Sequence, residues 1–371
     1  MGDPAKPLSS LGLTAKGGAN PMLTGLAVDS RDVAEGYLFA AMPGARVHGA
    51  SFVEYAVRMG AVAVLTDPTG ADLARAHLHD VAVIISTEPR ETLARAAALW
   101  FGAQPKTMIA VTGTNGKTSV STFVRQIWQE LELPAVNLGT TGVEGAWQAP
   151  LAHTTPEPIT LHRTLADAAA HGITHAAMEA SSHGLDQRRL DGVGLTAAGF
   201  TNFTQDHLDY HHTFEAYFDA KAGLFARVLP SDGAAVINID DARGTDMAAI
   251  ATARGQAVLM VGRNGGDLNL QGQRYDATGQ DLRFEYAGKV YQTRLNLLGG
   301  FQADNVMLAA GLVIACGADP ARVFETLEHL TTVRGRMQLT ATRSNGAAIF
   351  VDYAHTPDAV ETALRAMRPH V

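Results

Sequence analysis

Short, largely unbroken apolar runs occupy residues 61–65, 81–85 and 107–111. Runs of that length without polar alternation predict strands buried on both faces of a parallel sheet. More mixed runs at 23–28, 36–42, 135–138, 173–178, 195–201, 234–238 and 347–351 predict further strands. Between them, apolar residues recur at helical spacing. Leu93, Ala97 and Trp100 give one face of a helix over 90–101, and Val120, Phe123, Val124, Ile127 and Leu131 give one face of a helix that follows Gly116. Further helices are expected over 52–59, 160–171, 214–229, 301–316 and 357–367, with Gly60, Gly172 and Gly317 as stops and Pro320 opening another. On the 214–229 helix the apolar face is Phe214, Tyr217, Phe218, Leu224, Phe225 and Val228. Only 268–298 alternates as antiparallel strands do.

Strands alternating with helices predict an α/β fold. The pattern divides into a small amino-terminal α/β domain over 1–102, a central domain with a mainly parallel sheet over 103–333, and the beginning of a third, Rossmann-like domain over 334–371. Gly102 to Lys106 has the composition of a linker, and Val333 to Met337 reads as a hinge.

The chemistry concentrates where the 107–111 strand meets the next helix. Gly113-Thr114-Asn115-Gly116-Lys117-Thr118-Ser119 fills that turn. Two glycines let backbone N–H groups converge on phosphate oxygens, and the helix N-terminus adds partial positive charge there. Lys117 suits the β- and γ-phosphates of a nucleotide, and the Thr118 hydroxyl suits Mg2+. Val111 stands where the commonest phosphate-loop pattern has glycine.

Glu179 follows the 173–178 strand, the place where a second carboxylate accompanies a phosphate loop and holds Mg2+. His207 lies closest to the end of the 195–201 strand, whereas His211 and His212 read as exposed loop histidines without zinc spacing. Lys221 falls among the apolar residues of its helix, either buried or snorkelling from an edge. Asp29-Ser30-Arg31, just past the first strand, is either a solvated turn or a contact for a phosphate or uracil.

Composition narrows the partners. Hydrophobic content of 46% and charged content of 18% belong to a core-forming chain. A net charge of −8 gives no reason to expect nucleic acid or an acidic membrane surface. The single cysteine, Cys316, allows no intrachain disulfide and points to the cytoplasm. No apolar stretch is long enough to span a bilayer and no signal pattern opens the chain.

Six strings stand in one order: Gly-Thr-Asn-Gly-Lys-Thr (113–118), Thr-Thr-Pro-Glu-Pro (154–158), Met-Glu-Ala-Ser-Ser-His-Gly-Leu-Asp-Gln-Arg-Arg (178–189), Thr-Asn-Phe-Thr-Gln-Asp-His-Leu-Asp-Tyr-His (201–211), Ala-Tyr-Phe-Asp-Ala-Lys-Ala-Gly-Leu-Phe (216–225) and Asp-Tyr-Ala-His-Thr-Pro (352–357). Together they resemble the MurE branch of the Mur ligases, over nearly the whole chain. That resemblance implies an ATP-dependent ligase of cytoplasmic peptidoglycan precursor synthesis, acting as a monomer. Its substrates would be UDP-MurNAc-L-Ala-D-Glu and a diamino acid, meso-diaminopimelate or else L-lysine, joined through an acyl phosphate.

The resemblance also assigns roles. Gly113 to Ser119, with Lys117, would hold ATP, helped by Asn305, Arg336 and Asp352. Thr118, Glu179 and His207 would ligate Mg2+, and Lys221, carbamylated by CO2, would hold a second ion. Thr154, Thr155, Ser181, Gln187 and Arg189, with His153, would grip the sugar-dipeptide. Val28, Ser30 and the loop Ala45, Arg46, Val47 would hold the uridine diphosphate. The family's third domain is a full α/β unit of which only the start is expected within these residues, so the segment that selects the amino acid is expected beyond them. Two other readings share the phosphate loop: a folylpolyglutamate synthetase-like ligase, and a nucleotide-binding fragment without activity.

Overall fold

The computed structural model describes residues 4–370 apart from Ala45, Gly346 and Thr356, and leaves the side chains of Leu208 and Asp358 undescribed. The chain forms two compact units. One comprises residues 1–104, 156–167 and 187–193, and the other comprises 105–155, 168–186 and 194–371.

The first unit is built on a parallel sheet of Gly25–Ala27, Tyr37–Ala41, Ala63–Thr66 and Ala82–Ile85, in that order. The run at 23–28 is not one strand. Met22–Leu23 pairs antiparallel with Lys6–Pro7, and Gly25–Ala27 turns to the parallel sheet, with Thr24 between them bonded to Gly36 and Glu35. The Val53–Arg58 helix ends where Gly60 takes a φ of 106°. The Pro89–Phe101 helix buries Leu93, Ala97 and Trp100 against the sheet residues Leu38, Leu65 and Ile84.

The second unit holds a ten-stranded sheet. Seven neighbouring strands are parallel: Ala135–Gly139, His175–Glu179, Thr107–Thr112, Ala197–Phe200, Ala234–Asn238, Ala257–Gly262 and Leu268–Asp276. Antiparallel strands finish both edges, Gly142–Gly145 on one side and Gly279–Tyr286 with Lys289–Leu295 on the other. The Lys117–Glu130 helix buries Val120, Phe123, Val124 and Ile127, and packs with the apolar Phe301–Ala315 helix on the same core. The Ala257–Gly262 strand and the Gly244–Ala253 helix before it are elements that the periodicity of the sequence did not single out.

Two expectations about burial are corrected. Phe214 is 40% exposed, because the helix it opens, Phe214–Gly223, turns Tyr217, Phe218 and Lys221 inward instead. That helix also stops short of residue 229 and widens to a π-helical turn over Leu224–Val228. His211, read as an exposed loop residue, is only 7% exposed, its ring lying 5.3 Å from that of Tyr217. His212 is exposed, as expected. The segment after 333 forms an antiparallel hairpin, Gln338–Thr342 with Ala348–Val351, followed by the Pro357–Met367 helix.

Candidate functional site

Thr107–Thr112 is the strand at which the sheet order turns, with His175–Glu179 on one side and Ala197–Phe200 on the other. Ligands bind beyond the carboxyl ends of parallel strands at such a point. All three strands deliver candidate residues there: the loop at 113–118, Glu179, and Thr201 with Asn202.

Both loop glycines have conformations that a side chain would oppose. Gly113 has a φ of 145°, and a Cβ there would stand 1.8 Å from Thr201 Oγ1. Gly116 has a φ of 87°, and a Cβ there would stand 2.6 Å from Asn305 Oδ1. The loop is tied to its neighbours at every residue between these glycines. Thr114 N–H donates to Asn202 O at 2.8 Å, Asn115 N–H donates to Asn202 Oδ1 at 2.8 Å, and Thr201 Oγ1 donates to Asn115 O at 2.6 Å. Thr114 Oγ1 lies 3.2 Å from the Tyr217 hydroxyl. Ser119 is buried behind the loop, and the buried Asn305 carries its amide 3.3 Å from Gln302 Oε1.

Two lysines meet at the loop. Lys117 donates to Gly113 O at 2.9 Å and Thr114 O at 2.8 Å, and Lys221 donates to Gly113 O at 2.7 Å. Lys221 is 1% exposed and its nitrogen lies 4.4 Å from the centre of the Tyr217 ring, so it is buried rather than snorkelling. Burial first, and then the nearby Lys117 cation, hold the Lys221 pKa well below the ordinary lysine value, against the opposing pull of Asp206. Burial also lowers that of Lys117, partly offset by Glu179. Desolvation disfavours an ammonium because its hydration is lost, and a second cation adds repulsion.

Glu179 is 2% exposed and fully engaged. Its Oε2 accepts from Thr118 Oγ1 at 3.0 Å and Thr140 Oγ1 at 3.3 Å, and its Oε1 accepts from Thr140 N–H at 2.7 Å. The Cβ-less Gly139 makes room for it, since a Cβ there would stand 1.9 Å from Glu179 Oε1. Arg336 Nη2 reaches Thr118 Oγ1 at 3.4 Å, and Asp352 Oδ2 accepts from the N–H of the next residue, Met337, at 2.7 Å. Arg336 and Asp352 therefore belong to the same neighbourhood. Thr155 Oγ1 donates to Glu179 O at 2.9 Å and accepts from Ser181 N–H at 3.1 Å, while Thr154 and Thr140 share a hydroxyl contact at 3.1 Å. His153 is exposed.

His207 is the outlying member of the set. It has a φ of 51°, its side chain is 46% exposed, and it lies 3.4 Å from Asp206. Its ring meets those of His183 at 4.8 Å and Tyr217 at 6.2 Å, and no hydrogen bond joins it to Thr118 or Glu179 among the described residues. No three His, Cys, Asp or Glu side chains among the described residues are placed to hold a metal by themselves. The donors that do converge, Thr118 and Glu179, are hard oxygens. They fit a Mg2+ ion that takes its remaining ligands from nucleotide phosphates and water.

Several residues that hold this site had no role assigned from the sequence: Thr140, Asn202, Asp206 and Tyr217. Thr140 and Asn202 sit just past strand ends, which was the available signal.

The first unit has its own cavity, of about 770 Å3. Val28, Ser30, Val47, Gln187 and Arg189 all line it, together with Arg31, Phe52, Tyr55 and Arg90. Arg189 Nη2 donates to Gln187 Oε1 at 2.7 Å. Arg31 is held at 2.5 Å by Asp29, whose carboxyl that guanidinium lowers to about 2. Arg46 is exposed and is not part of the wall, and Ala45 lies outside the described residues. A flat ring and a charged tail suit such a lining of aromatic, aliphatic and guanidinium groups.

Two family models match the chain: the Mur ligase middle domain over residues 111–313, and the Mur ligase family catalytic domain over 23–100. Among curated proteins, the UDP-N-acetylmuramoyl-L-alanyl-D-glutamate--2,6-diaminopimelate ligase of Chelativorans sp. (strain BNC1) is 46% identical over 349 residues, covering 94% of this chain and 71% of that protein. The protein of the same name from Caulobacter vibrioides is 46% identical over 358 residues, covering 95% and 73%. A solved structure of a ligase with that name superposes with a TM-score of 0.80 at 31% identity, covering 94% of this chain and 71% of its own. Folylpolyglutamate synthase of Mycobacterium tuberculosis, complexed with ADP, shares the fold at a TM-score of 0.61 and 19% identity, covering 75% and 69%.

Proposed function

This chain belongs to the Mur ligase family, and from that premise we propose that it joins 2,6-diaminopimelate to UDP-N-acetylmuramoyl-L-alanyl-D-glutamate, coupled to ATP cleavage, in making a peptidoglycan precursor. The single observation that carries the reading at the level of chemistry is the meeting of Lys117, Lys221, Thr118 and Glu179 around the 113–118 loop. The names of the relatives favour diaminopimelate over lysine as the added amino acid.

In this reading the loop N–H groups and Lys117 take the phosphates of ATP, and Lys117 exchanges its two loop carbonyls for phosphate oxygens. The substrate carboxylate attacks the γ-phosphorus, the bond from that phosphorus to the β,γ-bridging oxygen breaks, ADP leaves, and an acyl phosphate forms. The amine of the incoming amino acid then attacks the acyl carbon, and phosphate leaves as the amide forms. Thr118 and Glu179 would hold Mg2+, joined by His207 once its ring turns in from beside Asp206, and the ion would supply neutralisation of the charge on the transferring phosphoryl group. The lowered pKa of Lys221 favours the neutral amine, the form that adds to CO2 with loss of a proton. The resulting carbamate would replace an ammonium by two anionic oxygens beside Lys117. Ser181, Thr154 and Thr155 would meet the dipeptide, and the cavity lined by Ser30, Gln187 and Arg189 would take the uridine diphosphate. No helix among the described residues is long and apolar enough to cross a membrane.

Calorimetric titration with UDP-N-acetylmuramoyl-L-Ala-D-Glu, with dihydrofolate in parallel, tests the substrate. Binding of the nucleotide sugar alone at micromolar order, about −8 kcal/mol, is the expected result. Binding of the folate alone would overturn it.

A further inference from the structure

Tyr217 is 1% exposed and has no part in the chemistry described so far, yet it meets the phosphate loop and Lys221 at once. It stands one turn before Lys221 on the Phe214–Gly223 helix, so both side chains leave the same face. That face reaches the first two residues after the Thr107–Thr112 strand, Gly113 and Thr114.

The hydroxyl contact has a direction. Thr114 Oγ1 donates to Thr204 O at 3.1 Å, accepts from Thr204 N–H at 3.0 Å and lies 3.2 Å from the Tyr217 hydroxyl oxygen. A threonine hydroxyl has one proton and two lone pairs. With that proton on the Thr204 carbonyl, the Tyr217 hydroxyl is the donor and the Thr114 hydroxyl is saturated. Thr114 is thereby clamped between the segment after the Ala197–Phe200 strand and the helix that carries Lys221. Its own N–H is committed to Asn202 O, so the loop has one orientation at this residue.

The ring contact is separate. Lys221 Nζ lies 4.4 Å from the centre of the Tyr217 ring while it donates to Gly113 O at 2.7 Å. An aromatic face is negative at its centre and attracts N–H groups, so the ring supports the nitrogen against the carbonyl. The rings of Phe203 at 5.1 Å and His211 at 5.3 Å pack around Tyr217 in turn. Carbonyl, amine, ring and hydroxyl form a closed circuit, Gly113 to Lys221 to Tyr217 to Thr114, whose ends are consecutive residues of the loop.

We propose that Tyr217 is a positioning residue of the ligase reaction: its hydroxyl sets the phosphate loop for the nucleotide, and its ring sets Lys221 against that loop. The proposal rests on the nucleotide reading of the loop. A residue that only filled the core would need the ring's bulk and neither of these contacts.

Calorimetric titration with Mg·ADP, and initial rates across ATP concentration, test the two contacts separately. Tyr217→Phe keeps the ring and is expected to weaken Mg·ADP about fivefold. In a Thr114→Val background, where the acceptor is already gone, the same substitution is expected to add nothing. Tyr217→Phe is expected to raise KM for ATP more than it lowers kcat, and Tyr217→Leu to lower kcat at least about tenfold further. Wild-type affinity in Tyr217→Phe, or the same fivefold loss in the Thr114→Val background, would remove the hydroxyl's role. Equal kcat in Tyr217→Phe and Tyr217→Leu would remove the ring's. Either result overturns the proposal, and the phenylalanine cycle decides it where Tyr217→Leu does not fold. Absence of Mg·ADP binding by the unsubstituted protein would instead overturn the nucleotide reading, and this proposal with it.

Discussion

The ammonium nitrogens of Lys117 and Lys221 donate to the same acceptor, the carbonyl oxygen of Gly113, at 2.9 and 2.7 Å. Burial first, and then the neighbouring Lys117 cation, make Lys221 yield its proton more readily than an ordinary lysine. The arrangement holds the Lys221 pKa well below the ordinary lysine value, in a site otherwise organised for anions. Lys221→Ala and Lys221→Arg are both expected to lower kcat by at least about 100-fold, with the circular dichroism spectrum retained. The arginine variant is the sharper of the two, because it keeps a permanent cation. Wild-type turnover by Lys221→Arg would show that a positive charge is all the position supplies.

Glu179→Gln keeps an acceptor for the Thr140 N–H but removes the negative charge beside Thr118. A loss of about 100-fold in kcat is expected, with a steeper dependence on Mg2+ concentration. Initial rates across a magnesium titration check this, and an unchanged magnesium dependence would separate Glu179 from the metal.

Gly113→Ala must place a Cβ 1.8 Å from Thr201 Oγ1 at a φ of 145°. It is expected to destabilise the larger unit by roughly 2–4 kcal/mol and to abolish nucleotide binding. Urea unfolding and a fluorescent ATP analogue measure the two effects separately.

Burial lowers the pKa of His162 from 6.5 to about 4. The folded protein therefore holds this ring neutral while the unfolded chain protonates it. The contribution to stability is whole above pH 6.5 and falls as pH drops towards 4, by about 3 kcal/mol in total. Urea unfolding from pH 7 to pH 4.5 is expected to have a smaller pH slope in His162→Leu than in the wild type.

Arg189→Lys removes the planar fork that faces the first unit's cavity and bonds Gln187. A rise of about tenfold in Kd for the nucleotide sugar is expected, with ATP affinity unaltered, both read by calorimetry.

The phosphate loop was legible because its signal is local: strand, two glycines, Lys117 and Thr118 are consecutive, and their chemistry needs no distant partner. The parallel strands were legible for the same reason, each being one apolar run. The edges of elements were less so. Thr24 splits one apolar run into two strands of different sheets, because its neighbours' partners, Lys6–Pro7 and Tyr37–Ala41, are set by tertiary pairing. His211 looked solvent-exposed in its polar string, and its burial depends on Tyr217 from the next helix. Thr140 is marked in the sequence only by its place just past a strand end, since its role exists only once the strand bearing Glu179 lies beside its own.

The composition of the first unit, from residues 1–104, 156–167 and 187–193, has a consequence for how the protein can be made and divided. The chain passes between the two units five times. A ribosome must synthesise residue 193 before the smaller unit has all its parts, so Glu157, Gln187 and Arg189 reach their cavity only after the phosphate loop and its helix have emerged. Neither unit can be released by a single cut. A fragment ending at residue 104 would carry Val28, Ser30 and Arg90 but lack the opposite wall of the cavity, and would bind the nucleotide sugar poorly however well it folded.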